Sequence, residues 1–286
     1  MSPSGTAGFK GAVRRPWRLV AEGSALVIAV LVAFPLYWMV LSAFKPEGEV
    51  QSGQPVPWTL NPSLDSFRRV FAQDDFGRYF ANSLLVAGTV VVASAAIAFL
   101  AATAVTRFRF RLRTSVMIMF LVAQMVPIEA LTIPMFFLMR DVGALNTLAS
   151  LILPHIAFAL PFAVWMLRGF VKAVPDSLEE QAFIDGASRR RFLWQILFPL
   201  VLPGLVATSV FSFISTWNDF LFAKSFIISA TENSTLPMAL LVFFDTETPD
   251  WGGVMAASTV MTLPVLVFFV LVHRRLVSGL GGAVKD

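Results

Sequence analysis

Residues Ser177 to Gly204 read "SLEEQAFIDGASRRRFLWQILFPLVLPG": an acidic segment, then a basic one, then an apolar run. Pro175 cannot continue a helix, so it ends whatever precedes it. Ser177 with Glu180 three residues later has the capping-box pattern and predicts a short helix from about Leu178. Gly186 supplies the left-handed conformation that closes a helix, and Ser188 is placed to cap a second one from Arg189 to Phe198. Glu179, Glu180 and Asp185 on the first element and Arg189 to Arg191 on the second suit a polar protein surface better than lipid, while small Ala182 and Ala187 admit a close neighbour. Residues 175–199 are thus predicted to form a bent polar hairpin whose second arm leads, through Pro199 and Pro203, into the next apolar run.

Outward from this hairpin the chain is greasy. Of 286 residues, 57% are hydrophobic and 14% charged, against roughly 25% charged in soluble domains. Apolar runs lie at 20–43, 80–106, 114–139, 149–170, 200–222 and 254–273, each near the ~20 residues of helix that cross ~30 Å of hydrocarbon. Lipid cannot satisfy an open backbone, and the strand alternation of a barrel is missing, so the predicted class is all-α: a polytopic membrane protein of about six transmembrane helices. Pro127 and Pro134 interrupt the third run. The expected organisation is an N-terminal tail (1–19), a membrane domain (20–273) carrying the 175–199 loop, and a C-terminal tail (274–286).

Basic residues orient the chain. Lys10, Arg14, Arg15 and Arg18 precede the first run; Arg107, Arg109, Arg111 and Arg113 separate the second and third; Arg168, Lys172 and Arg189 to Arg191 flank the hairpin; Arg274, Arg275 and Lys285 close the chain. By the positive-inside rule these segments and both termini are cytoplasmic. The net charge of +4 belongs to this topology and not to a nucleic-acid surface. The first run is too long for the core of a signal peptide, and Phe44-Lys45-Pro46 is no cleavage site, so it reads as a retained helix. With no cysteine, disulfides and thiolate chemistry are excluded.

The outer segment 45–78 contains an amphipathic stretch in which Asp65 or Ser66 would cap a short surface helix bearing Phe67, Val70 and Phe71 on one side. In the second run Ser94, Ala98, Ala102 and Thr106 recur every fourth residue, which lets another helix approach closely.

No catalytic pattern emerges. His155 and His273 lack a metal-ligand context, and no nucleophile elbow, dinucleotide fingerprint or P-loop is present, so the chain hydrolyses no ATP. Ionisable groups inside apolar runs are candidates for a substrate path. Glu129 stands in the third run with Gln124 nearby, and Trp217, Asn218 and Asp219 offer an aromatic plate beside an amide and a carboxylate at the outer end of the fifth. Such a set suits sugar hydroxyls, although Trp at a boundary also anchors helices and Asn or Asp also bonds between them.

Glu180-Gln181-Ala182, Gly186, Ile196 and Phe198-Pro199 resemble the EAA loop of ABC importer permeases, pattern E-A-A-x3-G-x9-I-x-L-P, with Gln181 in place of Ala and Phe198 in place of Leu. "NSLLVAG" from Asn82, "PIEALTIPMF" from Pro127, "GALNTLASLILP" from Gly143, "TWNDFLFA" from Thr216, "TLPMAL" from Thr235 and "RRLVSGLGGAVKD" from Arg274 are similar to the carbohydrate, maltose-type subgroup. The resemblance implies a non-catalytic permease subunit of a sugar importer in the cell membrane of a prokaryote, working by alternating access. The implied partners are a second permease subunit, two ATPase subunits or domains that use ATP and Mg, and an extracytoplasmic solute-binding protein; no cofactor is held by this chain. Glu179, Glu180, Ala182, Asp185, Gly186 and Ala187 would form its contact with the ATPase. A polyol or glycerol-phosphate importer and an ion-driven carrier using Glu129 and Asp219 are the competing expectations.

Overall fold

A computed structural model describes residues 16–52, 56–73, 75–229, 231–244 and 249–280, with side chains described between 20 and 272. The basic tail residues Lys10, Arg14, Arg15 and Lys285 lie outside the described residues, and of Arg18, His273, Arg274 and Arg275 only the helical backbone is described.

Among the described residues the chain is helical throughout. In order, α1 is Pro16–Ala43, α2 Glu47–Gln51, α3 Asp65–Ala72, α4 Phe76–Arg107, α5 Arg113–Ala123, α6 Thr132–Asp141 and α7 Ala149–Ala173. Then follow α8 Asp176–Ile184, α9 Arg189–Arg191, α10 Phe198–Trp217, α11 Leu221–Phe226, α12 Leu236–Ala239 and α13 Trp251–Leu280. Five helical stretches are long and apolar enough to cross a bilayer, or six if the bent pair in the third run counts as one.

That third run departs from expectation. Instead of one helix over 114–139, α5 ends at Ala123, a 3₁₀ turn covers Ile128–Leu131, and the halves meet at 94°. Pro127 has no N–H to donate and biases Val126 away from helical geometry, so the helix breaks at the proline. The fifth span also differs from 200–222. It begins at Arg189, runs through a π-helical turn at Phe192–Leu197 and stops at Trp217. The wide turn sits directly before Pro199, whose ring would otherwise crowd the carbonyl four residues back.

The small-residue face of α4 is the centre of the bundle. Ala98 and Ala102 are fully buried among Val164, Leu167, Val201 and Leu205 of α7 and α10, and the Ser94 hydroxyl bonds that of Ser212 at 3.4 Å. Gly204 lies so near Phe170 that a Cβ there would stand 2.4 Å from its ring. By contrast α1 is exposed along most of its length and runs beside α13, as a lipid-facing helix would.

The two ends of the bundle are tied differently. At the end opposite the arginines, Asn82 donates to the carbonyls of Glu232 and Ser234, both at 2.9 Å, and the Leu236 N–H donates to Ser83 Oγ at 2.7 Å. Asn146, at φ 62°, accepts from the N–H groups of Ile228 and Ser229. The surface helix α3 forms, but neither Asp65 nor Ser66 caps it: Leu64 is the N-cap and both lie in the first turn, with Val70 buried and Phe71 exposed. It is tied to α13 by Arg69, which donates to both Asp250 oxygens at 2.8 and 2.9 Å.

Candidate functional site

At the arginine-bearing end, α8 hangs between α7 and α9. It begins two residues earlier than the sequence suggested, at Asp176: Pro175 is the N-cap with extended backbone, and Ser177 makes no capping bond. The Ser177–Glu180 capping box is therefore not formed, because the proline's fixed φ starts the helix at Asp176 and leaves Ser177 inside the first turn.

The C-terminal end matches the expected glycine closure. Gly186 has φ +81°, its N–H donates to Phe183 O at 3.0 Å, and the Ala187 N–H donates to Ala182 O at 2.9 Å. This pair of bonds is a Schellman motif, and it needs the left-handed residue that only glycine adopts without cost. Ser188 then caps the next helix by accepting from the Arg191 N–H at 3.3 Å.

The faces of α8 divide sharply. Ala182 is buried against the bundle, joining Val171, Phe192 and Leu197, with Leu178 partly buried beside it. Glu179 also turns inward, 3.4 Å from Arg107 Nε. Glu180, Asp185 and Gly186 face outward and Ala187 is half-buried. Two outward residues went unremarked in the sequence: Ile184, 83% exposed, and Phe183, 38% exposed.

Arg107, read from the sequence only as a topological charge, holds this element in place. Its side chain is 6% exposed. It pairs with Asp176, donates to the carbonyls of Val171 at 3.2 Å and Val174 at 2.8 Å, and faces Glu179. One guanidinium from the end of α4 thereby satisfies the C-terminus of α7 and the first turn of α8 together, a fork geometry that lysine cannot reproduce.

The expected substrate-path residues are dispersed. Gln124 donates to Phe158 O at 3.2 Å and lines a 290 Å³ cavity between α5, α7 and α10. Glu129 sits exposed in the 3₁₀ turn beyond the bend and does not line that cavity. Trp217 is 2% exposed, donates from Nε1 to Met261 O at 3.1 Å and packs against Phe213 and Phe80. It is a core residue, because its indole found a carbonyl partner inside the bundle and not at the boundary. Asn218 donates to Ile214 O at the end of α10, and Asp219 accepts from the N–H groups of Phe222 and Ala223, opening α11. His155, set aside in the sequence for want of a metal-ligand context, is 4% exposed, lines the same cavity and lies 4.0 Å from Asp219.

Residues 94–281 match the family described as binding-protein-dependent transport system inner membrane component. The chain belongs to that family. This inner membrane component is 39% identical to the diacetylchitobiose uptake system permease DasC of Streptomyces coelicolor, over 92% of this chain and 95% of that one. It is 34% identical to the trehalose/maltose transport permease MalG of Thermococcus litoralis (94% and 97% covered). The solved structure of a bacterial ABC transporter that imports alginate has the same fold: TM-score 0.79 at 19% identity, over 96% of this chain and 99% of that one. The inner membrane component is thus an ABC importer permease subunit, and the matched region contains Arg107, α8, the cavity and Trp217.

Proposed function

We propose that the chain is one of two permease subunits of an ATP-driven importer that takes up a sugar or oligosaccharide handed over by an extracytoplasmic solute-binding protein. Its relatives' named substrates, diacetylchitobiose, trehalose and maltose, support a sugar. In this reading both termini and the arginine-bearing end are cytoplasmic, and α8 is the coupling helix. ATP and Mg belong to the partner ATPase, and this chain carries neither.

The observation that carries the coupling role is the construction of α8: a helix closed by Gly186, held on its inner side by Arg107 and Ala182, and presenting Glu180, Phe183 and Ile184 outward. An element clamped to α4 and continuous with α7 and α9 moves the spans as a rigid body when its outer face is gripped. Glu180 and Asp185 supply the polar rim of that contact, Gly186 and Ala187 its bend. Along the path, Gln124 faces the substrate route, with Glu129 and Asn218 at its margins and Trp217 and Asp219 supporting it.

Reconstituted with its second permease, ATPase and binding protein, the complex is expected to accumulate trehalose, maltose or diacetylchitobiose only with ATP. Gly186→Val is expected to lose binding-protein-stimulated ATP hydrolysis while still assembling, since no atom lies within 4 Å of the Cβ position and the cost is conformational. Uptake that survives without ATP and collapses with an uncoupler would instead establish an ion-driven carrier.

A further inference from the structure

His155 occupies an uncommon position for a buried imidazole. Its Nδ1 lies 2.7 Å from Leu151 O. A carbonyl only accepts, so Nδ1 carries a proton, and in the neutral tautomer that this selects, Nε2 is a lone-pair acceptor. Asp219 Oδ1, also an acceptor, stands 4.0 Å from Nε2, too far for a direct hydrogen bond. Both Asp219 oxygens are already committed to the N–H groups of Phe222 and Ala223. Phe222 closes the other side of the ring, edge-on, at 5.4 Å between centroids.

What remains open to the imidazole is the 290 Å³ cavity, walled by Phe211 and Phe158 and edged by Gln124, Ser215 and Thr216. Its volume is at the lower end of ligand pockets (~300–1,000 Å³) and suits a single sugar ring better than a chain of them. Aromatic walls with a few convergent polar groups are the chemistry that recognises a pyranose, apolar on its faces and hydroxylated at its rim.

We propose that His155 is a sugar-recognition residue of this subunit, its Nε2 accepting a hydrogen bond from a hydroxyl of one pyranose unit as the sugar passes the cavity. The Asp219 carboxylate strengthens that acceptor through space, and the Leu151 carbonyl fixes the tautomer. This inference rests on the importer reading above and adds a contacting residue to it.

The test uses the reconstituted complex and whichever of trehalose, maltose and diacetylchitobiose the wild type accumulates. His155→Asn keeps a donor for Leu151 O but withdraws the Nε2 acceptor. It is expected to lower uptake roughly five- to tenfold, the worth of one hydrogen bond; His155→Gln, which reaches the Nε2 position, is expected to restore much of the uptake. Wild-type uptake in His155→Asn overturns the proposal. Should that variant fail to assemble, carbethoxylation of His155 in the wild-type complex decides: slower labelling with saturating sugar and loaded binding protein supports the contact, and equal labelling with and without sugar overturns it. A wild-type complex that takes up no sugar with ATP, across a panel wider than these three, overturns the sugar reading and this inference with it.

Discussion

Gly186 and Arg107 show how single residues set the geometry of α8 from opposite directions. Gly186 works through its backbone, and the requirement is visible in sequence: a glycine just past a short helix, followed by a capping serine, is the pattern of a left-handed helix closure. Arg107 works through its side chain, across sixty-nine residues to Asp176, and sequence alone gives it the same appearance as Arg109 or Arg113. Replacing it with Met is expected to leave the Val174 carbonyl without its donor, at about 1–3 kcal/mol, while the Val171 carbonyl keeps the Val174 N–H. Sugar uptake should fall further than ATP hydrolysis, because α8 remains but is no longer tied to α4; Arg107→Lys should recover only part, lacking the fork. Paired uptake and ATPase rates on the three proteins check this. Equal rates in Arg107→Met and wild type would remove the clamp from the mechanism. Trp217 illustrates the opposite limit of legibility: an aromatic at the end of an apolar run has one sequence signature whether it anchors at the interface or, as here, fills the core and donates to Met261.

At the scale of elements, the apolar runs were legible because hydrocarbon thickness imposes their length. The breaks were legible as prolines but not as angles: Pro127 announces an interruption, whereas the 94° between α5 and α6 depends on what each half packs against. The surface helix α3 was readable from its alternation, and its attachment was not, since Asp250 lies 181 residues from Arg69. That attachment gives a pH dependence. Partial burial raises the Asp250 carboxyl, but the Arg69 hydrogen bonds, the Gly253 N–H and the Arg69 charge outweigh it and hold the group below its ordinary value. A carboxyl depressed in the folded state contributes stability above its unfolded pKa, ~3.9, and loses it as pH falls through the folded value. The difference in Tm between wild type and Asp250→Asn should therefore be present and constant from pH 7 to 5, then close below about pH 4. A difference that grows on acidification would contradict the pairing.

For the whole molecule, the two ends carry different work. One end is tied by side-chain amides and hydroxyls, Asn82, Ser83 and Asn146, that hold connecting segments over the bundle. The other projects one short helix whose outer face carries the exposed apolar residues Phe183 and Ile184. The sequence could not say which face of α8 points outward, because helical periodicity over nine residues is satisfied by Ala182 and Leu178 inward or by Phe183 and Ile184 inward alike. Packing settled it in favour of the smaller pair: Ile184 is left exposed, and Phe183 lies partly exposed with its ring 5.8 Å from that of Phe192.

The chain has no cysteine, so a single introduced thiol reports one position. With Ile184→Cys and, separately, Phe71→Cys in the assembled complex, a thiol crosslinker is expected to join α8 to the ATPase subunit through the first and never through the second. Crosslinking to the ATPase through Phe71→Cys alone, or labelling of Ile184→Cys by an impermeant reagent from outside the cell, would contradict the account at its centre.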